Sequence, residues 1–438
     1  MRLAHVIVVA LLPMLGLLAC KAPPPDPDAP PVPAQTPIAE HDCFWNGPWV
    51  REDPERNYAF PDTAAAYWAA RFKLPENGRL IVEGEFAQAR YLSLVAYDAD
   101  GRPTDALTDY AIEPLPGQHN PFRPGESRSA KARAYRVEVV GGDVPAQRAP
   151  NTLYLGRDAQ KQAALIYRIY VPDQGLGRTA GVPLPRVRLV VGDAAPQDLP
   201  ASCAAIEANR EPMPSSVPAK AVYELGRGRP LQPRTFPADD PLSWHAFYDA
   251  KHLASCLYFK RCEGEPERTG GVYSNPDNAY VAGMISRGFG PVLVLRGRMP
   301  KVPATHAGGG RMQDGELRFW SLCNNEAATQ KVMACLYDEQ VPLDAERRYT
   351  IVVSREQDRP ANARAECGMA WLAWSEVGDG AGHADDGMLF LRNMLPAADF
   401  AQAVQRTRKP GDEASVMGDR LPTGQYMTRE AVEGLGCG

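Results

Sequence analysis

Two clusters of histidine and acid suggest places where this chain could do chemistry. His245, Asp249 and His252 follow the pattern HxxxDxxH. On a helix these positions share one face, and imidazole with carboxylate is a suitable ligand set for a divalent metal. Three successive turns of one helix converge poorly on a single ion, so a solvated helix face explains the same residues more simply. His383 with Asp385 and Asp386, in a Gly-rich stretch, is the second metal candidate. Asp98-Ala99-Asp100-Gly101 begins like a calcium loop but lacks the later ligands and the bidentate Glu, so it reads as a hairpin turn. AGGGRM (307–312) has no helix after it to present a phosphate-binding N-terminus. Nucleophiles are scarce: Ser286 in GMISRG does not form a GxSxG elbow, and HExxH is absent. Carboxylates are numerous, but nothing singles out a pair suited to glycoside hydrolysis.

Candidates for ligand binding concentrate in the second half. Arg318, Trp320, Trp371, Trp374, Arg392 and Asn393 combine flat aromatic faces with guanidinium and amide donors. Such a set could form a carbohydrate or small-molecule surface. Core packing and turn formation account for the same residues without a ligand.

The elements that must carry these residues are written twice. YWAARFKLPENGRLIVEGEF, from Tyr67, aligns without gaps on YVAGMISRGFGPVLVLRGRM, from Tyr280. This places Ala69 on Ala282, Leu80 on Leu293 and Gly84 on Gly297. In the same order follow ARYLSL on LRFWSL, LTDYAI on LYDEQV, YRVEVV on YTIVVS and LIYRIYVP on LFLRNMLP. Each match is short, but their collinearity points to an internal duplication. The matched runs are rich in β-branched and aromatic residues and are bounded by Gly and Pro, as strands are. The expected fold is mainly β: two tandem, duplicated antiparallel β-sandwich or jelly-roll-like domains with a few short helices. Helices are expected over 62–72, 241–259 and 397–407, the first ambiguous because its counterpart reads as strand. The duplication also matches Arg90 with Arg318, Asp109 with Asp338, and Arg168 with Arg392. An arginine on an apolar strand face needs a partner, so an Arg–Asp pair is expected inside each domain.

The N-terminal segment concerns location. Arg2 and the apolar run VIVVALLPMLGLLA end in Leu17-Leu18-Ala19-Cys20, too short to span a bilayer and followed by no longer apolar stretch. LLAC resembles the lipobox of bacterial lipoproteins. That resemblance implies cleavage of residues 1–19 and diacylation of Cys20, which would be the chain's partner to a membrane. Lys21 after the cysteine implies, by the same resemblance, sorting to the outer membrane of a bacterial cell envelope. Residues 20–42 are Pro-rich and read as an extended tether. A first domain is then expected over 43–204, a Pro-rich connector over 205–241 and a second domain over 242–438.

Beyond Cys20, eight of the nine cysteines remain: Cys43, Cys203, Cys256, Cys262, Cys323, Cys335, Cys367 and Cys437. An even number in an exported chain points to disulfides. Zinc competes, but no CxxC occurs and no His stands at ligand spacing beside a Cys pair. Cys43 with Cys203 would join the ends of the first domain, Cys323 with Cys335 would flank a hairpin, and Cys437 would pair with Cys256 or Cys262. A net charge of −5 without a basic stripe argues against nucleic acid.

NPDNAY (275–280), the SLxxYD-like strands, and RIYVP with RNMLP are similar to segments of the bacterial domain-of-unknown-function families 1254 and 1214. The resemblance implies paired β-sandwich domains and no particular chemistry. The function expected is a non-catalytic binding or scaffolding module, anchored in the envelope and stabilised by disulfides. It would have no cofactor, and its partners would be a small molecule, a glycan or an envelope protein. The alternative is a cell-envelope hydrolase with a cleft in the second domain or between domains.

Overall fold

The computed structural model describes residues 42–228 and 231–437. The expected signal peptide, Cys20 and nearly all of the tether lie outside the described residues. In the first β domain the strands are β1 (Asn46–Trp49), β2 (Ala65–Phe72), β3 (Gly78–Glu85), β4 (Ala89–Tyr97), β5 (Pro103–Thr108), β6 (Ala134–Val140), β7 (Thr152–Tyr154), β8 (Ala163–Pro172) and β9 (Arg186–Val191). In the second they are β10 (His245–Ala246), β11 (Asn278–Ser286), β12 (Val292–Arg298), β13 (Leu317–Asn325), β14 (Val332–Tyr337), β15 (Arg348–Ser354), β16 (Met369–Ala373), β17 (Asp386–Pro396) and β18 (Thr423–Met427).

Each set makes a five-stranded and a four-stranded sheet. The five-stranded orders are β1-β2-β8-β4-β5 and β10-β11-β17-β13-β14; the four-stranded orders are β7-β6-β3-β9 and β16-β15-β12-β18. The two copies therefore agree strand for strand. Even the parallel pair recurs, β6 with β7 and β15 with β16. Period-2 alternation fills the space between sheets, with Leu80, Val82, Leu92 and Leu165 in one core and Leu293, Leu295, Leu322 and Leu389 in the other. Gly84 faces Tyr135 across its ladder, and Gly297 faces Tyr349. A Cβ at either glycine would stand 2.6 Å from the tyrosine hydroxyl, so both copies keep glycine where a ring lies across the strand.

Three helix expectations change. Residues 62–72 contain β2, not a helix: Ala66, Trp68, Ala70 and Phe72 alternate into the core. The sheet overrides alanine's helix preference. Within 241–259, His245–Ala246 is the edge strand β10, and only Ala250–Phe259 is helical. Asp249 starts that helix as its N-cap, accepting from the His252 backbone N–H at 2.8 Å. Residues 397–407 hold only a single 3-10 turn, Val404–Arg406, capped by the Asn393 side chain at 3.0 Å. The described α-helices are α1 (Ala201–Ala205), α2 (Lys220–Arg227), α3 (Ala250–Phe259), α4 (Glu413–Met417) and α5 (Arg429–Glu433).

All eight described cysteines lie in pairs at disulfide distance. Cys43–Cys203 and Cys323–Cys335 are as expected. Cys437 pairs with Cys367 instead of Cys256 or Cys262, and the latter two pair with each other across the end of α3. The C-terminal segment explains the change: it lies against the loop after β15, where Asn362 donates to Val432 O at 2.8 Å and Gly436 O at 2.9 Å.

The within-domain Arg–Asp pairs are also corrected. Arg90 donates to Asp338 at 2.5 Å and Arg318 to Asp109 at 3.4 Å, so the partners are exchanged between copies. Each aspartate also accepts a backbone N–H of its own domain, from Leu92 at 2.9 Å and Trp320 at 3.1 Å. Two copies of one domain, mated face to face about an approximate two-fold, make reciprocal contacts of this kind. The segments before β2 and β11 are exchanged likewise. Asn57 bonds Val332 at 2.9 and 3.0 Å, while Tyr273 N donates to Gly101 O at 2.8 Å.

Candidate binding cavity

The strands that bury Val281, Leu389 and Leu391 inside the second sandwich turn Tyr280, Met388 and Phe390 outward. This outward face is apolar too, and α2 and α3 cover it. The link between β10 and β11 runs from 247 to 277 and carries α3; the link between β1 and β2 spans only 50–64 and carries no helix. Helix α2 is held by a buried polar network. Tyr223 Oη donates to Asp379 at 2.9 Å, and Arg227 reaches Asp379 at 3.4 Å and Asp386 at 2.7 Å. Burial raises the Asp379 pKa, but hydrogen bonds from the Ala381 backbone, His383 and Tyr223 outweigh it and hold the carboxyl below its usual range.

Between these helices and the sheet lies a chamber of about 470 Å³, within the ~300–1,000 Å³ typical of small-molecule sites. Leu253, Ala254 and Leu257 of α3 form one wall, Met388 and Phe390 another. Phe60, contributed by the first domain, stacks on Phe390 with centroids 4.6 Å apart. Among the described residues no His, Asp, Glu, Lys or Arg lines the chamber. At its rim Val222, Leu225 and Phe259 are 62%, 78% and 60% exposed, so an apolar surface leads to the chamber.

A second compartment of about 60 Å³ adjoins the chamber; Ala59, Phe60, Tyr273 and Tyr280 line both. Its remaining walls include Trp49, Tyr67, Arg168, Tyr170 and Arg392. Arg392 ion-pairs with Asp62, which also accepts from Ser321 at 2.6 Å. Burial pushes the Arg392 guanidinium down to about 9, and the Asp62 carboxylate opposes that by favouring the charged form. Arg168 donates through Nη2 to Tyr97 Oη at 2.6 Å and Tyr273 O at 2.8 Å.

Of the six candidate ligand residues, Arg392 alone lines either compartment. Its neighbour Asn393 points to the opposite face of β17, as strand alternation requires, and bonds the Val404 turn. Trp320 and Trp374 are core residues. Trp371 lies on the outer side of the four-stranded sheet with Arg359 over its ring at 4.3 Å, and Arg318 is spent on Asp109. These six form no common surface. His245, Asp249 and His252 do not converge either: Asp249 caps α3, while His245 Nδ1 stands 3.5 Å from Cys262 Sγ. His383 donates through Nδ1 to the Asp379 carboxylate at 2.6 Å, while Asp385 pairs with Arg234 and Arg287. The sequence reading missed Tyr273 and the apolar wall of α3. Its accessible signal was SCLYF within an insertion that the first copy lacks.

No protein-family model matches the chain, and no curated protein does. Among solved structures, an uncharacterised protein from Burkholderia cenocepacia is similar at 15% identity and a TM-score of 0.46, covering 89% of this chain and 84% of that one. A structural-genomics target from Vibrio parahaemolyticus is similar at 10% identity and a TM-score of 0.40, covering 84% of this chain and 90% of that one.

Proposed function

We propose that this chain is a non-catalytic binding module that takes up a small hydrophobic molecule and is displayed in the bacterial cell envelope from a lipidated Cys20. The observation that carries the binding role is the chamber roofed by α2 and α3, apolar within and bordered by exposed apolar side chains. Burial of apolar surface supplies roughly 25 cal/mol per Å², so such a lining favours an apolar guest without any directed chemistry. Among the described residues the chamber lining holds no His, Cys, carboxylate, Lys or Arg, which favours binding over the hydrolase reading. Trp371 and Arg392, two of the candidate ligand residues of the second domain, stand on different sheets and build no common cleft. The envelope address rests on the lipobox-like LLAC and the disulfide pairs.

The test is titration of the purified full chain with N-phenyl-1-naphthylamine, a neutral probe that brightens in apolar surroundings. Saturable uptake of one equivalent is expected, lost in Ala254→Trp with the melting temperature retained. No saturable uptake by the native chain would remove the proposal. Mass spectrometry of the N-terminal peptide from native membranes tests the anchor: a diacylated Cys20 is expected, and an unmodified one would refute it.

A further inference from the structure

The approximate two-fold symmetry is broken at one pair of buried arginines. Arg168 and Arg392 are equivalent, as are Ser93 and Ser321; Val171 N donates to Ala64 O as Leu395 N donates to Asp277 O, a register that makes Asn275 the counterpart of Asp62. In the second copy Arg392 and Ser321 meet on the carboxylate of Asp62. At Arg168 the corresponding residue is an amide: Asn275 donates to Tyr91 Oη at 2.8 Å, and the neighbouring Asp277 accepts from Tyr91 Oη at 2.7 Å and Thr108 Oγ1 at 2.5 Å. Arg168, only 3% exposed, has no carboxylate within ion-pair distance among the described residues, and its Nη1 has no hydrogen-bond partner. Arg168 does lie over two aromatic rings, Tyr97 at 5.6 Å and Tyr67 at 5.8 Å. A cation–π contact softens but does not replace a counter-charge.

Three more residues that line the same small compartment carry a buried polar group without a partner among the described residues: Trp49 at Nε1, Tyr273 at Oη and Arg392 at Nε. All four groups donate, and none is met by an acceptor. Buried polar groups are ordinarily satisfied, so this concentration of donors describes what is missing: an acceptor-rich, negatively charged group. The compartment is small and adjoins the apolar chamber, so the group that enters it belongs to a molecule whose remainder is apolar.

We infer that the cavity binds an amphipathic carboxylic acid, its hydrocarbon body in the chamber and its carboxylate at Arg168, supplying the negative charge that Asp62 gives Arg392 and that Asn275 does not give Arg168. This deepens the binding-module reading and rests on it. Arg168 and Tyr273 are head-group residues; α3 supplies the wall for the chain.

Isothermal titration of the full chain with decanoate, decanol and decyl phosphate tests both levels. Decanoate is expected to bind at least 10-fold more tightly than decanol. Arg168→Gln should remove that preference while decanol binding stays. Tyr273→Phe keeps the ring and should weaken decanoate several-fold with decanol unchanged, so the test survives if Arg168→Gln fails to fold. Decyl phosphate, with a bulkier head, should bind more weakly than decanoate. Equal affinity for decanoate and decanol would overturn the head-group inference and leave the chamber intact, the donors then being satisfied by water. Tighter binding of decyl phosphate would replace the free acid with a phosphate-headed lipid and overturn the stated class. Failure of all three ligands to bind would remove the binding-module reading itself.

Discussion

Arg168 and Arg392 sit on the same rung of the same strand in two copies of one domain, yet only Arg392 has a carboxylate. Around them the copies agree in strand order, parallel pair and Gly–Tyr crossing. The difference begins in the link before the second strand, where the second copy inserts α3 and gains a covered, hollow outer face. A duplicated fold thus keeps its sandwiches and changes what is laid over them. The shared strands hold the domains together and supply Tyr67, Tyr280, Arg168 and Arg392 to the cavity; the unshared helix α3 covers it.

The largest effects should separate the two arginines. Asp62→Ala leaves Arg392 buried without its partner and should cost about 3–5 kcal/mol. Arg168→Gln removes a charge that has no carboxylate in ion-pair contact among the described residues and should cost about 1–2 kcal/mol at most. Urea unfolding of both variants measures this, and equal losses would erase the asymmetry. The exchanged pairs should differ as well. Arg90 is fully buried and pairs with Asp338 and Glu339, whereas Arg318 is partly exposed and, among the described residues, pairs with one carboxylate, Asp109, beside a bond to Arg90 O. Arg90→Met is therefore expected to lose about 3–5 kcal/mol and Arg318→Met about 1–3 kcal/mol, measured in the same way.

Where the copies agree, perturbation should be symmetric. Gly84→Ala and Gly297→Ala each force a methyl into a tyrosine hydroxyl and should destabilise by a similar ~1–3 kcal/mol. A large difference between their unfolding midpoints would show that the two crossings are not equivalent.

The smallest effect is one of pH. Burial raises Asp109 from 3.8 to about 6, with the Arg318 charge opposing the rise. A carboxyl whose folded pKa lies above its unfolded value binds its proton more tightly in the folded state. Its stabilising contribution is complete below the unfolded value and is lost as pH rises through about 6. Melting temperatures between these two values should fall with rising pH more steeply in the native chain than in Asp109→Asn. Parallel slopes would show that Asp109 titrates normally.

Much of this architecture was legible because duplication turns one sequence into a comparison of two. The pairing of Tyr67 with Tyr280, of Gly84 with Gly297 and of Asp109 with Asp338 could be read directly, and each pair holds equivalent positions. Local periodicity failed where tertiary packing outweighed it, as in the alanine-rich β2 and in the strand break ahead of Asp249. The candidate site was less legible. Arg392 and Asn393 are adjacent in sequence, but alternation sends them to opposite faces, and Trp320 and Trp374 fill a core that any large apolar residue could occupy.

The sequence by itself determined the strands, the repeat, the cysteines able to pair and the polar residues common to both copies, because these depend on local spacing and on self-comparison. Only the tertiary structure decided that Arg90 finds Asp338 and not Asp109, that Cys437 finds Cys367, and that Arg168 is left without a carboxylate. Those outcomes depend on which surfaces meet across an approximate two-fold, and the distance between two groups from different domains is written in neither local pattern.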